Sequence, residues 1–414
     1  MEPAVRRRAP LFALLSANVL SLVGNQLTFV ALPWFVLQTT GSAAKTGIAG
    51  SFIALPALLA AFLGGPLVDR WGHKRTSVIA DIASGITVAL VPLLHHTIGL
   101  AFWQILALAF LGALLDTPGG LARDSLTPGL ASLAGIQLWR VNAANQMLWR
   151  LSGLIGPPLA GVLIVAMGPS RVLLLDAVSF AMSAALTALA VPGRALSIET
   201  NASPPGERYL AELQEGLRAI GRDRLLLTVI LSFTLLNALG EPLFRVILPV
   251  IAQGAPEGAA ELGILLAAFA GGGMLGTVLF GIVGHRAARH WLYAGAFLLV
   301  AGATLALLAP PSLPLLLGAL VVRGLASAPT TVLAVTITQE RVPAQLLARV
   351  FGIGRALALA AVPLSLAASG YMVDWVGIRS TLAVSASLLL VLTLGLFISP
   401  MLKEMDAGRT SKGI

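Results

Sequence analysis

The sequence predicts an all-α membrane protein, with twelve transmembrane helices in two pseudo-symmetric six-helix halves. Three observations predict it. Of 414 residues, 57% are hydrophobic and only 11% charged, with a mean hydropathy of +0.90, a composition foreign to soluble domains. Apolar runs of about 20 residues, long enough to cross a bilayer, recur along the whole chain. The second half of the sequence also repeats the first.

The first run, near 11 to 37, follows Arg6, Arg7 and Arg8. It continues well past the length of a signal h-region and shows no small-residue cleavage site, so it reads as a spanning helix. Five more spans lie near 46 to 68, 76 to 98, 100 to 121, 141 to 166 and 171 to 191. A polar segment, 192–223, comes next. It holds Asn201-Ala-Ser203-Pro204-Pro205-Gly206, then Glu207 to Arg222 with Leu210, Leu213, Leu217 and Ile220 at helical spacing. This predicts a linker ending in an amphipathic helix on the cytoplasmic face. The second set of spans lies near 225 to 252, 260 to 283, 291 to 309, 313 to 338, 350 to 372 and 378 to 399. The expected organisation is therefore an N-terminal half, 1–191, the linker, 192–223, and a C-terminal half, 224–414.

The repeat shows when the chain is slid along itself. An offset of 216 residues puts Ser16 on Ser232, Gly24 on Gly240, Leu32-Pro33 on Leu248-Pro249, Gly65 on Gly281 and Arg70 on Arg286. An offset of 209 pairs Arg140-Val141 with Arg349-Val350, Gly161 with Gly370 and Gly168 with Gly377. Two homologous six-helix halves follow from this.

The net charge of +9 and a pI near 10.9 would fit a nucleic-acid partner, but the basic residues cluster in alternate loops. That is the positive-inside pattern, so the lipid bilayer is the partner and both termini are expected in the cytoplasm. There is no cysteine, hence no thiolate metal site or disulfide frame. H-E-x-x-H, G-x-S-x-G and G-x-x-x-x-G-K-[ST] are all missing, which removes the parts of a metalloprotease, a serine hydrolase or a nucleotide-driven pump. No enzyme activity, cofactor or resident metal is expected.

Between the second and third spans stands Gly65-Pro-Leu-Val-Asp69-Arg70-Trp-Gly72-His73-Lys74-Arg75. Glycine permits a tight hairpin there, and Asp69 can cap a helix N-terminus. The pattern resembles the loop signature of the major facilitator superfamily, G-x-x-x-D-R-x-G-x-[RK]-[RK]. The fifth span carries Gly153-Leu-Ile-Gly156-Pro157-Pro158-Leu-Ala-Gly161. Its small residues allow close helix approach and its prolines bend the helix; this run resembles the fifth-helix signature of that superfamily's exporters. With Leu174-Leu-Asp176-Ala-Val-Ser-Phe180, these motifs are similar to the drug-exporter branch that includes macrolide, multidrug and enterobactin exporters. The resemblance implies the major facilitator fold, a cavity between the halves, and a latch around Gly65, Asp69, Arg70, Gly72, His73, Lys74 and Arg75 with Asp124. At His73 the family pattern usually has arginine; either Lys74 takes over that contact or the imidazole makes the latch respond to pH.

Ionisable residues inside spans are functional candidates by default. Glu241 lies in the seventh span with Arg245 one turn on, on the same face. It is either a proton carrier or half of a permanent ion pair. Asp116, in Leu115-Asp116-Thr117-Pro118, can carry a proton, pair with Arg150 or Arg323, or satisfy backbone donors. Arg323, mid-span, is expected to meet a carboxylate or an anionic substrate group. Asn25, Gln26, Asn237, Arg245, Arg150, Arg323 and Arg355 are the substrate-cavity candidates. Asp81 and Asp176 lie within a few turns of their helix ends, where capping, local pairing or partial hydration accounts for them.

The expected function is proton-coupled export of amphipathic drugs or related small molecules by alternating access, in a bacterial cytoplasmic (inner) membrane, by a monomer. Export of a native metabolite such as a siderophore or lipid-like molecule is the alternative. A membrane enzyme or receptor-like scaffold is the reading from another class.

Overall fold

The computed structural model describes residues 8–192, 207–284 and 286–406, with the side chains of 57, 58, 60–67, 69, 70, 207–213, 344 and 348 outside the description. The segment 201–206 and His285, where the second half's loop would carry its aspartate, therefore lie outside the described residues.

Six long helices come first: α1 (Ala9–Thr40), α2 (Ala43–Trp71), α3 (His73–Thr97), α4 (Phe102–Ala134), α5 (Leu138–Met167) and α6 (Pro169–Ala190). The amphipathic α7 (Glu207–Arg222) leads into α8 (Arg224–Pro242), a π-helical turn at Leu243–Ile247 and α9 (Leu248–Gln253), which together make one rod. Then come α10 (Ala259–Val283), α11 (Arg289–Ala306), α12 (Leu313–Arg341), α13 (Ala344–Ile398) and a short 3-10 turn, Pro400–Met405. Helix α13 is two rods meeting at Gly377, where φ is 85° and ψ 166°. The part from 224 to 398 thus also supplies six rods. Among the described residues, nine helices are long and apolar enough to cross a membrane by length and composition.

Several joints between rods are one residue wide. Gly72, between α2 and α3, has φ 80° and ψ 143°, and Gly168, between α5 and α6, has φ 82° and ψ 155°. That backbone is open to glycine and strained for any residue with a Cβ. Gly168 and Gly377 are partners at the 209-residue offset, and they share one conformation. The expected loop from 65 to 75 is accordingly a corner: helix runs up to Trp71 and resumes at His73.

Packing divides the chain into two compact units, Met1–Asn201 with Pro249–Gly263, and Ala202–Leu248 with Ile264–Ile414. In the first, α1 packs on α6 and α5, α3 on α4 and α6, and α2 on α4. Leu11, Leu14, Leu126, Leu130, Val141 and Val191 form a core at one end. In the second, α8 packs on α13 and α11 on α12 and α13, around Leu225, Val229, Tyr293, Phe297 and Leu333, with Leu402 and Met405 of the 3-10 turn tucked in. Helix α7 is docked as well: Ile220 is buried with Val350 and Ile353.

Apolar surface gives no preference for a neighbouring helix over lipid, so close approach of small residues does more of the work in such bundles. A methyl group at Gly272 or Gly276 of α10 would lie 2.3 or 2.4 Å from the Val321 or Leu325 carbonyl of α12. The fifth-span motif acts the same way within the first unit. Gly156 seats the Gln26 side chain, whose Cβ lies 2.4 Å from where a methyl group would be, and Gly161 meets the Ala259 carbonyl at the same spacing. Pro157 and Pro158 sit inside an unbroken helix. Outward-facing Ile86, Leu93, Val162, Val165, Val278, Ile282, Val391 and Leu394 are exposed, as side chains on rods meant for lipid should be.

Candidate functional site

The interior of the first unit holds charge. Four apolar helices each carry a polar stripe at helical spacing: Ser21, Asn25 and Thr28 on α1; Ser77, Asp81 and Ser84 on α3; Gly112, Asp116, Gly119 and Arg123 on α4; Asp176, Ser179 and Ser183 on α6. Residues so spaced share one helix face, and these faces meet.

Asp81 is fully buried and accepts from Arg123 Nη1 at 2.5 Å and from Ser183 Oγ at 2.7 Å. Arg123, 5% exposed, also donates through Nη2 to Ser21 Oγ at 3.2 Å. Asp116 Oδ1 stands 4.0 Å from that Nη2 and has no hydrogen-bond partner, while Oδ2 accepts from Asn25 Nδ2 at 3.3 Å. Asp176, fully buried, accepts from Thr28 Oγ1 at 2.5 Å and Ser179 Oγ at 3.1 Å. Two carboxyl groups, Asp81 and Asp116, thus share one guanidinium, and Asp176 is held by hydroxyl groups.

These positions correct three expectations. Asp81 and Asp176 lie about two turns inside α3 and α6, as expected, but they are fully buried and bonded across helices, so neither is hydrated nor a cap. Asp116 pairs with neither Arg150 nor Arg323; its cation is Arg123. The apolar run of the fourth span stops near 121, but the helix continues to Ala134, so Arg123 belongs to the packed bundle. Hydropathy passed over it; the i, i+4, i+7 polar stripe on α4 is the signal that marks it.

The second unit uses different chemistry. Glu241 Oε2 accepts from Arg245 Nε at 2.9 Å across one turn, where Pro242 and the π turn Leu243–Ile247 interrupt regular α-helix. A widened turn of this kind re-aims side chains. Arg323 is 5% exposed and donates Nη1 to Thr304 Oγ1 at 2.7 Å, with its guanidinium 5.8 Å from the Phe244 ring centre. The expected carboxylate is not there: among the described residues a hydroxyl and an aromatic face serve instead. Asn237 bonds back to the Phe233 carbonyl at 2.8 Å. Arg150 and Arg355 are exposed, with no ion pair among the described residues.

The repeat reaches the interior. Gly24, on α1, makes room for Asp176, and its partner at the 216-residue offset, Gly240, makes room for Arg323: a methyl group would lie 2.2 Å from Asp176 Oδ1 in one case and 3.0 Å from Arg323 Nη2 in the other. Each unit thus keeps a glycine on its first rod against a buried ionisable side chain.

Of the proposed latch, Gly65, Asp69 and Arg70 lie in helical α2 with their side chains outside the description. His73 and Lys74 are half-buried, Arg75 and Asp124 are exposed, and the His73 Nδ1 is buried without a partner. Asp124 makes no ion pair with a described side chain. At the corresponding end of the second unit, ion pairs join the rods: Arg341 to Asp223 at 3.0 Å and to Glu404 at 2.8 Å, Arg289 to Glu340 at 2.6 Å, His290 to Asp406, and Arg349 to Glu215. Burial works against a charged Asp223, but the Leu226 amide and Arg341 outweigh it and hold the carboxyl below its usual range. At Asp406 burial is likewise outweighed, by His290 and the Arg289 amide.

Long apolar rods repeated in two units, with ionisable groups held inside each, define a polytopic membrane transporter. The chain belongs to the Major Facilitator Superfamily, whose family model matches residues 14–255 and 230–412. It is 32% identical over 403 residues to the multidrug efflux pump Tap of Mycobacterium tuberculosis, covering 96% of this chain and 95% of that one. It is 22% identical over 411 residues to macrolide efflux protein A of Streptococcus pyogenes, covering 98% of each. The fold is shared with the nucleoside transporter NupG, at a TM-score of 0.76 and 14% identity over 94% of this chain and 98% of that one. A bacterial homologue of the lysosomal transporter Spinster, inward-facing and unoccupied, gives 0.72 and 16% over 99% and 98%.

Proposed function

We propose that this transporter exports amphipathic drugs or related small molecules across a bacterial cytoplasmic membrane, in exchange for protons and by alternating access. The observation that carries export is the similarity to the Tap efflux pump, which runs along 96% of the chain at 32% identity. Substrate enters from the cytoplasm or the inner leaflet, and the alternate-loop bias of basic residues supports cytoplasmic termini.

Proton coupling is supported by the first unit's interior, where carboxyl groups outnumber their cation. Asp116 is the better placed of the two proposed carriers. One of its oxygens lacks a hydrogen-bond partner, whereas Glu241 is neutralised by Arg245 at 2.9 Å. A proton taken up on one side and released on the other biases which conformation is populated.

Purified protein in liposomes, given a panel of dyes and drugs under pH gradients of either sign, tests this. Uphill movement that reverses with the gradient, survives Glu241→Gln and is lost in Asp116→Asn is the expected result. No movement of any panel member by folded protein refutes drug export and turns the search to siderophores and lipid-like metabolites. Coupling unchanged in Asp116→Asn removes that residue as the carrier.

A further inference from the structure

We propose that Arg123 is a movable counter-ion shared by Asp81 and Asp116, and that Asp81 thereby sets how readily Asp116 takes and releases its proton. The inference deepens the proton-coupling reading and rests on it for its role in transport. Its geometry stands apart from that reading.

Arg123 presents two nitrogens to two acids. Nη1 is 2.5 Å from Asp81 and Nη2 is 4.0 Å from Asp116. A guanidinium is a rigid fork able to hold a carboxylate on each edge, so a small swing of the side chain exchanges one partner for the other. Its companions differ in how completely they are satisfied. Asp81 has a bond to each oxygen, from Arg123 and Ser183. Asp116 has one, from Asn25 to Oδ2, and its Oδ1 faces Arg123 without a hydrogen bond.

Two carboxylates beside one guanidinium leave a net negative charge in the bundle, which is costly in a low-dielectric interior. A proton from water, bonded to Asp116 Oδ1, restores neutrality and leaves Arg123 with Asp81. When that proton departs, Nη2 leaves Ser21 and closes on Oδ1 in its place. Gly119, between Asp116 and Arg123 on α4, lets α3 come close enough for Asp81 to meet Arg123: a methyl group there would sit 2.8 Å from Ala80 Cβ and 3.8 Å from both Arg123 Nη1 and Asp81 Oδ1.

The other groups around Asp116 offer no competing cation among the described residues. From α1 come Ser21 and Asn25, neither charged. From α3 comes Asp81. From α6 come Ser183 and Asp176, the latter bonded to Thr28 and Ser179. On α2, Lys45 lies over the Phe102 ring at the far end of α4, and the side chains of Asp69 and Arg70 fall outside the description. On α5, Arg140 lies over Trp139 and Arg150 is exposed. Asp124, next to Arg123 on α4, is exposed.

The test is a pH titration of full-length protein by infrared difference spectroscopy, following the protonated-carboxyl stretch that vanishes in Asp116→Asn. In Asp81→Asn, Arg123 is free to stay with Asp116, so the midpoint moves to lower pH by about one unit, a tenfold loss of proton affinity. Arg123→Gln moves it the other way, and Arg123→Lys, which keeps the charge, lies nearer the parent. If these variants fail to fold, Ser21→Ala releases Nη2 without removing a charge and shifts the midpoint lower. Midpoints unmoved in folded variants, or no titrating band lost in Asp116→Asn, overturn the inference. Liposome transport on the same proteins separates the two ideas. Shifted midpoints with transport indifferent to the pH gradient sink proton coupling and leave the shared counter-ion. Gradient-driven transport with unmoved midpoints does the reverse.

Discussion

Gly24→Ala would place a methyl group 2.0 Å from Ser179 Oγ and 2.2 Å from Asp176 Oδ1, with Ser179 Cβ 3.1 Å away. Both neighbours are short side chains, so neither clears the methyl group by a remote rotation, and α1 or α6 must shift. Overpacking of this kind costs about 1–3 kcal/mol. Losing a hydrogen bond to the buried carboxyl adds up to about 1.5–3 kcal/mol, against about 0.5–1 kcal/mol returned when alanine replaces a helical glycine. The net loss then lies between about 0 and 5.5 kcal/mol, centred on about 2–3 kcal/mol. Gly281→Ala is the control: it is also helical, and nothing lies within 4 Å of the added methyl group, so only the helical gain applies. Unfolding in detergent, followed by tryptophan fluorescence at one scan rate, reads the difference. At about 2–4 °C per kcal/mol for a folding unit of this size, Gly24→Ala melts several degrees below the parent and Gly281→Ala at or above it. Equal midpoints for the two variants refute the claim that Gly24 exists to seat Asp176.

Three further outcomes follow from other parts of the structure. Thr304→Val keeps side-chain shape but removes the acceptor of the buried Arg323, a loss of about 1–3 kcal/mol in the same melting assay, with Thr304→Ser close to the parent. Gly168→Ala and Gly377→Ala each force a residue with a Cβ into positive φ, costing about 1–2 kcal/mol, and equal losses at the two sites would reflect the repeat. Asp406 has a carboxyl held below its usual range by His290 and the Arg289 amide despite burial. A folded value lower than the unfolded one stabilises above about pH 4 and is lost as pH falls through the lowered folded value. Asp406→Asn therefore melts below the parent near neutrality, and the gap closes under acid conditions; a gap that widens there contradicts the assignment.

The sequence by itself determined the scaffold. Bilayer-length apolar runs, the two repeat offsets and the alternate-loop charges led to paired sets of six rods, because backbone groups in lipid must be satisfied within helices and span length is fixed by bilayer thickness. It also marked Asp116 and Glu241 as costly buried acids, and Gly168 and Gly377 as partners. Tertiary structure alone decided who meets whom. Asp116 found Arg123, a residue that hydropathy passed over, because helix α4 outlasts its own apolar run. Arg323 met Thr304 and Phe244 where a carboxylate was expected, and Glu241, next to the Gly240 that faces Arg323, is held by Arg245 instead. Asp81 and Asp176 stand about two turns in from their helix starts, as expected, but only the packing showed that both are buried and bonded across helices. Hydropathy averages over a window and reports depth along one helix, whereas pairing depends on the rotation of each helix about its axis, which is set only when the polar stripes of four helices face one another.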